Sequence, residues 1–372
     1  MQFVKNTLSV SVAGLALSLG SGATAQAQTN EYDIVPNSWI FVMQADADVS
    51  SIETTVSKKV GKGKLKHVYK HSVKGFSADM TAQQAKDLAD ETVGVAYVVP
   101  NSYIRVTGKP VSSSKGPSAP NTQITPWGVT RVNGGSYKGN AIAWVVDTGV
   151  DSKHPDLRVH KGKSTSIIDN SRGLTDGQGH GTHVAGIIGA RDNDNGVLGV
   201  APGVTIASVK VLDDNGQGTA ASVIAGVDYA ASKARSSDVI NLSLGGGYNQ
   251  ALNDAVVRAS QRTNVVVAAG NYAGHAKNYS PASAEGQFVF TVSAIDQNDS
   301  FSQSSNFGNP PIDCAAPGVN ITSTIPGGGI GTFTGTSMAA PHVSGLLLKG
   351  NIRTDGFAAY DPDGNGDPIC VF

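Results

Sequence analysis

Gly331-Thr-Phe-Thr-Gly-Thr-Ser337-Met-Ala-Ala-Pro-His342 sets a serine between a turn of small residues and an apolar run, Val343-Ser-Gly-Leu-Leu-Leu348, that reads as a helix. A serine at such a place is ordinarily an N-cap, its hydroxyl answering the first free N–H groups of the helix. Two segments upstream change that reading. Asp147 lies in Val145-Val-Asp-Thr-Gly-Val-Asp151, and His180 lies in Gly179-His-Gly-Thr-His183. Acid, base and nucleophile therefore occur in the order Asp, His, Ser, which is one of the convergent orders for this constellation. A Ser, Asp, His order with G-x-S-x-G would point to a lipase-type hydrolase; here the serine stands in Gly-Thr-Ser-Met-Ala.

The runs between these segments set the architecture. Ala141 to Val146, Thr205 to Val211, Val239 to Leu244 and Asn264 to Ala269 are short and apolar, as strands buried on both faces are. His183 to Ala190, Ala220 to Ser232 and Gln250 to Arg262 alternate with them and read as helices. The expected fold is α/β, a mainly parallel sheet with helices on both faces. Reactive groups of such sheets gather beyond the carboxyl ends of strands, where Asp147 falls. Residues 39–106 form a separate, smaller unit of β-α-β-β-α-β order: an α+β open-faced sandwich with its helices on one side.

Composition agrees with two folded bodies. The chain has 372 residues, 45 of them glycine, with 15% charged residues and a net charge of -1. Nothing in that balance calls for nucleic acid or an anionic membrane as partner. The lysines between Lys58 and Lys74 read as a solvated face. At the N-terminus Lys5, the apolar run Leu8 to Leu19 and Ala23-Thr-Ala25-Gln-Ala27 form an export signal, too short to span a bilayer. The expected organisation is a signal peptide at 1–27, a small unit at 28–107, a Pro/Ser/Gly-rich and easily cut linker at 108–120, and the larger unit at 121–372. Export permits a disulfide between the two cysteines, Cys314 and Cys370, but sequence alone leaves open whether they pair.

Several side chains have competing explanations. His183 follows His180 by three residues, yet the run lacks the H-E-x-x-H pattern of a zinc site; it reads as a packed structural histidine, as does His342. Asn271, in Val267-Ala-Ala-Gly-Asn271, is either a turn residue or a side-chain donor to an oxyanion. Asp361-Pro-Asp-Gly-Asn-Gly-Asp367 is similar to the first half of an EF-hand loop, but Phe372 stands where the bidentate glutamate should, so it reads as a turn with weak calcium potential.

Together the blocks around Asp147, His180, Asn271 and Ser337 resemble the subtilases, the subtilisin-like serine proteases. The nearest branch is that of the fungal proteinase K enzymes, through Ala268-Ala-Gly-Asn271 and Asn278-Tyr-Ser-Pro-Ala-Ser283. The resemblance runs from about Thr125 to Lys349, and the small N-terminal unit resembles the subtilase inhibitory propeptide, which implies a propeptide at 28–107, maturation cleavage in the linker at 108–120 and a catalytic domain at 121–372. It implies a secreted, monomeric, calcium-stabilised endopeptidase that matures from its own zymogen, with export to the exterior or the periplasm. Asp147, His180 and Ser337 would be the triad and Asn271 the oxyanion donor. Ser243, Leu244 and Gly245, opposite Ala268, Ala269 and Gly270, would line a first pocket of apolar or aromatic preference. Asn215, Gly216, Gln217 and Gly218 would pair with extended substrate. A calcium ion would lie among Gln123, Asp156, Arg191, Asn193, Asn195 and Val197, and a second at Asp313.

Overall fold

The computed structural model describes residues 33–61, 64–106, 109–110, 122–168 and 174–372. The export signal and most of the linker lie outside the described residues. The N-terminal unit follows the expected order: β1 (Ile34–Met43), α1 (Val49–Val60), β2 (Leu65–Tyr69), β3 (Gly75–Asp79), α2 (Ala82–Glu91) and β4 (Val95–Val106). Its antiparallel sheet runs β4-β1-β3-β2. A core of its own forms under the helices, where Phe41 and Phe76 stack at 4.6 Å beside Leu88 and Val98. Thr81 opens α2 with a capping box completed by Gln84.

The larger body is built on β5 (Ile142–Asp147), α3 (His180–Gly189), β6 (Thr205–Lys210), β7 (Gln217–Thr219), α4 (Ala220–Lys233), β8 (Val239–Leu242), β9 (Leu244–Gly247), α5 (Gln250–Ser260), β10 (Asn264–Ala268), β11 (Val289–Ile295), β12 (Cys314–Pro317), β13 (Ile321–Ile325), β14 (Gly329–Thr334), α6 (Thr336–Lys349), β15 (Arg353–Phe357) and β16 (Pro368–Val371). Its sheet runs β15-β16-β12-β11-β10-β8-β5-β6, parallel throughout except for the last hairpin, β15 with β16. Side chains alternate across it. Trp144, Val146 and Ile240 face α4 and α5, while Val145, Val266 and Val292 face α3 and α6. Both faces are covered, which is why these strands read as unbroken apolar runs.

Two expectations shift. The helix expected from His183 begins three residues earlier, at His180, because Gly179 turns the chain with φ 101°. The strand expected over Val239–Leu244 is two strands, β8 and β9, separated at Ser243, which leaves the main sheet to form an edge. The open question at the C-terminus also closes. Cys314 on β12 and Cys370 on β16 form a disulfide, with Cα atoms 5.8 Å apart. The tail thus extends the sheet. Asp361–Asp367 is a tight turn, with Gly364 N donating to Asp361 O and Asp367 N to an Asp361 carboxylate oxygen.

The two bodies meet through β4. Its N-terminal half belongs to the small sheet. Its C-terminal half lies between two edges of the large body, antiparallel to β7 (Tyr103 with Thr219, Ile104 with Gly218, Arg105 with Gln217) and to β9 (Arg105 with Gly245, Val106 with Leu244). Side chains add further holds beside that pairing. One oxygen of Asp228 on α4 accepts from the backbone N–H groups of Lys70, His71 and Ser72 and from the Ser72 hydroxyl, at 2.6–3.0 Å. Asn101 Oδ1 accepts from Ala221 N at the start of α4. No helix among the described residues is long and apolar enough to cross a membrane.

Candidate active site

Asp147 ends β5, and His180 is the first residue of α3; both are fully buried. His180 Nδ1 lies 2.8 and 3.0 Å from the two Asp147 carboxylate oxygens. The approach is close because the backbones are. A Cβ on Gly181 would stand 2.0 Å from Gly149 O and 3.2 Å from Asp147 Cβ, so a glycine is required there. His180 Nε2 is buried with no hydrogen-bond partner among the described residues.

Ser337 is the second residue of α6, not its N-cap; Gly335, at φ 146°, takes the cap position and has no side chain to offer. The cap comes from another segment, since Asn271 Oδ1 accepts from Thr336 N at 3.0 Å. That bond leaves the Asn271 amide Nδ2 buried and unpartnered. Pro341 removes a second helical bond, because it has no N–H for the Ser337 carbonyl four residues back. The Ser243 hydroxyl fills that gap by donating to Ser337 O at 2.8 Å, while the Ser337 hydroxyl donates to Ser243 O at 2.8 Å. Breaking the sheet at Ser243 is what makes this exchange possible.

A buried aspartate sequence reasoning missed, Asp176, accepts from Thr148 Oγ1, Gln178 N, Gly179 N, Thr182 N and Thr182 Oγ1 at 2.6–3.1 Å. Burial pushes its carboxyl above the ordinary range, opposed by the Thr182 and Gly179 bonds. Asn306, fully buried, was missed as well. It donates to Ala269 O and accepts from Tyr272 N and Gly274 N, and so holds the loop that carries Asn271. Neither stands in a motif; an acid before a Gly-x-Gly-His turn is the only sequence signal either offers.

The expected structural histidines are packed. His183 stacks on Phe333 at 4.2 Å and bonds Gly331 O, and burial drops its pKa to about 3; His342 bonds Met338 O, and burial takes it to about 4. Of the expected edge segment, Gly216 to Gly218 reach the bound strand, Gly216 O accepting from Val106 N at 3.0 Å. Asn215 turns away into a loop closed by Asp213. Ala268, Ala269 and Gly270 are buried beside α6, with Gly270 N donating to Thr336 Oγ1.

Five of the six residues assigned to the first cation site are joined directly. Gln123 Nε2 donates to Arg191 O at 2.6 Å, and the Asp156 carboxylate accepts from Asn193 Nδ2 and Val197 N at 3.1 Å each. Asn195 is tied to them only through Asn193. Gly196, at φ 65°, keeps the pocket open, since a Cβ there would stand 2.5 Å from Asp156 Oδ2. One carboxylate, side-chain amides and loop carbonyls are the donor types a hard cation takes, so the residues fit calcium. Among the described residues no three His, Cys, Asp or Glu side chains form a metal-holding group, so this site rests on a single acid. Asp313 accepts from Thr291 N at 2.8 Å, and burial raises its pKa to about 6.

Residues 138–350 match the model of the subtilase family, and residues 37–107 match that of the peptidase inhibitor I9 family. The chain is a subtilase. It is 37% identical to the subtilisin-like serine protease Pen ch 13 of Penicillium rubens, over 93% of this chain and 88% of that protein. Proteinase R of Parengyodontium album is 33% identical over 84% of this chain and 79% of its own length. Among solved structures, a cold-adapted subtilisin-like serine proteinase matches 65% of this subtilase and 96% of its own chain, at TM-score 0.55 and 37% identity. The subtilase is therefore a serine protease carrying its own inhibitory propeptide, and proteins are its substrates.

Proposed function

We propose that Ser337 is the nucleophile, His180 the general base and Asp147 the carboxylate that orients and stabilises the imidazolium. The observation that carries the reading is the antiparallel insertion of β4 between β7 and β9, leading straight to the Ser243–Ser337 exchange. An extended peptide held on both edges is bound through its main chain and so with little sequence selectivity. In the reaction the Ser337 oxygen attacks the scissile carbonyl and its proton passes to His180 Nε2. The unpartnered Asn271 amide and the Ser337 N–H take the negative oxygen. The intermediate collapses to an acyl-enzyme as the departing amine takes the proton from His180. Water then repeats the sequence and frees Ser337.

The register suggests where the propeptide is cut. Arg105 pairs with Gly245 and Val106 with Leu244, and the inhibitor match ends one residue further on, at Thr107. Cleavage after Thr107 makes Ile104 the fourth residue before the cut. Ile104 is fully buried, and a Cβ added at Gly246 would stand 2.9 Å from its Cδ1. A medium-sized apolar side chain is therefore favoured there, alongside broad apolar or aromatic acceptance next to the cut.

Calcium in the Gln123–Asp156–Arg191–Asn193–Val197 loop would neutralise the buried Asp156 and tie that loop to the end of α3; its role is structural. The export signal in the sequence supports secretion, and the proposed enzyme acts as a monomer. The test compares the full chain with Ser337→Ala. The wild type should shorten at a single N-terminal point, label with a serine-directed phosphonate and cleave casein, and the variant should do none of these. A wild-type chain that neither labels nor cleaves with calcium present would sink the reading.

A further inference from the structure

His180 opens a helix that cannot cap itself. Its N-cap is Gly179, in a left-handed conformation with no side-chain acceptor, so the first N–H groups of α3 need a partner from elsewhere. Asp176 supplies it. One carboxylate oxygen takes Gly179 N at 2.7 Å and the other takes Thr182 N at 2.8 Å and Thr182 Oγ1 at 2.6 Å. A cap alone would explain the aspartate without reference to chemistry.

The second arm goes beyond a cap. The oxygen that holds Gly179 also accepts from Thr148 Oγ1 at 2.9 Å, and Thr148 is the residue next to Asp147. That hydroxyl in turn accepts from Gly181 N at 2.9 Å, and Thr148 N donates to Asp147 Oδ1 at 2.7 Å. Two paths thus leave the same carboxylate: one reaches the backbone on either side of His180, and the other reaches the peptide that orients the Asp147 carboxylate. They close on the 2.8 Å contact between Asp147 and His180 Nδ1. The five groups facing Asp176 are all donors, and the aspartate is 3% exposed. Only an acceptor-only side chain satisfies them, because an asparagine would turn an NH2 group toward one set.

We propose that Asp176 is a positioning residue for hydrolysis, a buried carboxylate that sets the Asp147–His180 geometry by clamping Thr148 to the first turn of α3. The inference rests on His180 being the base. Displacing a catalytic group by about 1 Å costs about 10²-fold in rate, and that loss falls on kcat, since Asp176 touches neither β7 nor β9.

Asp176→Asn, Thr148→Val and Thr148→Ser are each made in the full chain, matured, and counted by phosphonate titration of competent sites. Asp176→Asn should lower kcat per titrated site about 10²-fold with KM unchanged. Thr148→Val should lower it in the same way, and Thr148→Ser, which keeps the hydroxyl, should restore it. If Asp176→Asn does not accumulate folded, the Thr148 pair decides, read as the single-turnover rate at which the chain cuts its own propeptide. A purely structural role would reduce the titrated fraction and the melting temperature while leaving kcat per site at the wild-type value, and that result overturns the proposal. So would equal rates for Thr148→Val and Thr148→Ser. His180→Ala is run in parallel: activity surviving there would sink the triad reading itself, whereas unchanged kcat in Asp176→Asn beside a dead His180→Ala sinks only this inference.

Discussion

Replacing Cys314 and Cys370 together by alanine tests how the C-terminal tail is held. The disulfide joins residues 56 apart, and the cysteines are 1% and 4% exposed, so alanines fit without burying a new polar group. The stabilisation follows from the closed loop. With an entropy change of about 2.1 plus 1.5R ln 56 cal/mol/K, the unfolded chain loses about 14 cal/mol/K, or about 4 kcal/mol at 25 °C. The native β12–β16 pairing and the packing of Ile369 and Val371 remain, so the loss should come from the unfolded state and not from altered contacts. In a body of this size about 4 kcal/mol corresponds to a fall of about 8–16 °C in melting temperature. The assay is urea and thermal unfolding of the Ser337→Ala chain with and without the cysteine pair, the serine being removed so that self-digestion does not set the result. Activity of the pair variant in the wild-type background, measured well below its melting temperature, should be unchanged. A stability loss below about 1 kcal/mol would refute the loop-closure argument, and a loss of activity at low temperature would show that the tail also shapes the site.

Other expectations can be checked on the same material. Asn271→Ala should lower kcat about 10²–10³-fold with little change in KM, the cost known for subtilisin when it loses its own asparagine donor; unchanged kcat would remove Asn271 from the oxyanion site. Asp228→Ala leaves three propeptide N–H groups without their acceptor, and losing even one charge-assisted bond of about 1.5–3 kcal/mol should weaken the propeptide about 10–100-fold. The reading is a shorter lag before activity appears, and an unchanged lag would contradict it. Gly246→Ala places a Cβ 2.5 Å from Tyr103 O, so propeptide inhibition and peptide KM should both suffer; a variant with normal values would mean the strand edge yields. The Asp313 carboxyl, raised to about 6 mainly by burial, favours the folded chain when protonated. Its contribution is present below pH about 4 and is lost as pH rises to about 6. In chelator, the Ser337→Ala chain should lose stability across that window, and Asp313→Asn should flatten the loss. A cation at Asp313 should restore stability above pH 6, and no response to calcium there would exclude that site.

Much of this enzyme is legible in one dimension because its constraints are local. Strands covered on both faces must be apolar throughout, so Ala141 to Val146 and Asn264 to Ala269 declare themselves. The chemistry proposed for Asp147, His180, Asn271 and Ser337 needs small residues around each group, and these leave motifs. The same local reading failed at Ser243, where the pattern is continuous but the strand divides. What ends the strand there is a distant helix whose proline leaves a carbonyl for that serine to satisfy.

Sequence by itself determined the reaction class, the two-body plan and the order of the elements, since motif spacing and hydrophobic period are properties of neighbours along the chain. Tertiary structure alone decided the rest. It paired Cys314 with Cys370, since whether two Cα atoms come within 5.8 Å depends on where two strands fall in a sheet. It also brought Thr148 and Asp176 together, because a hydrogen bond across 28 residues follows from packing and leaves no period to read.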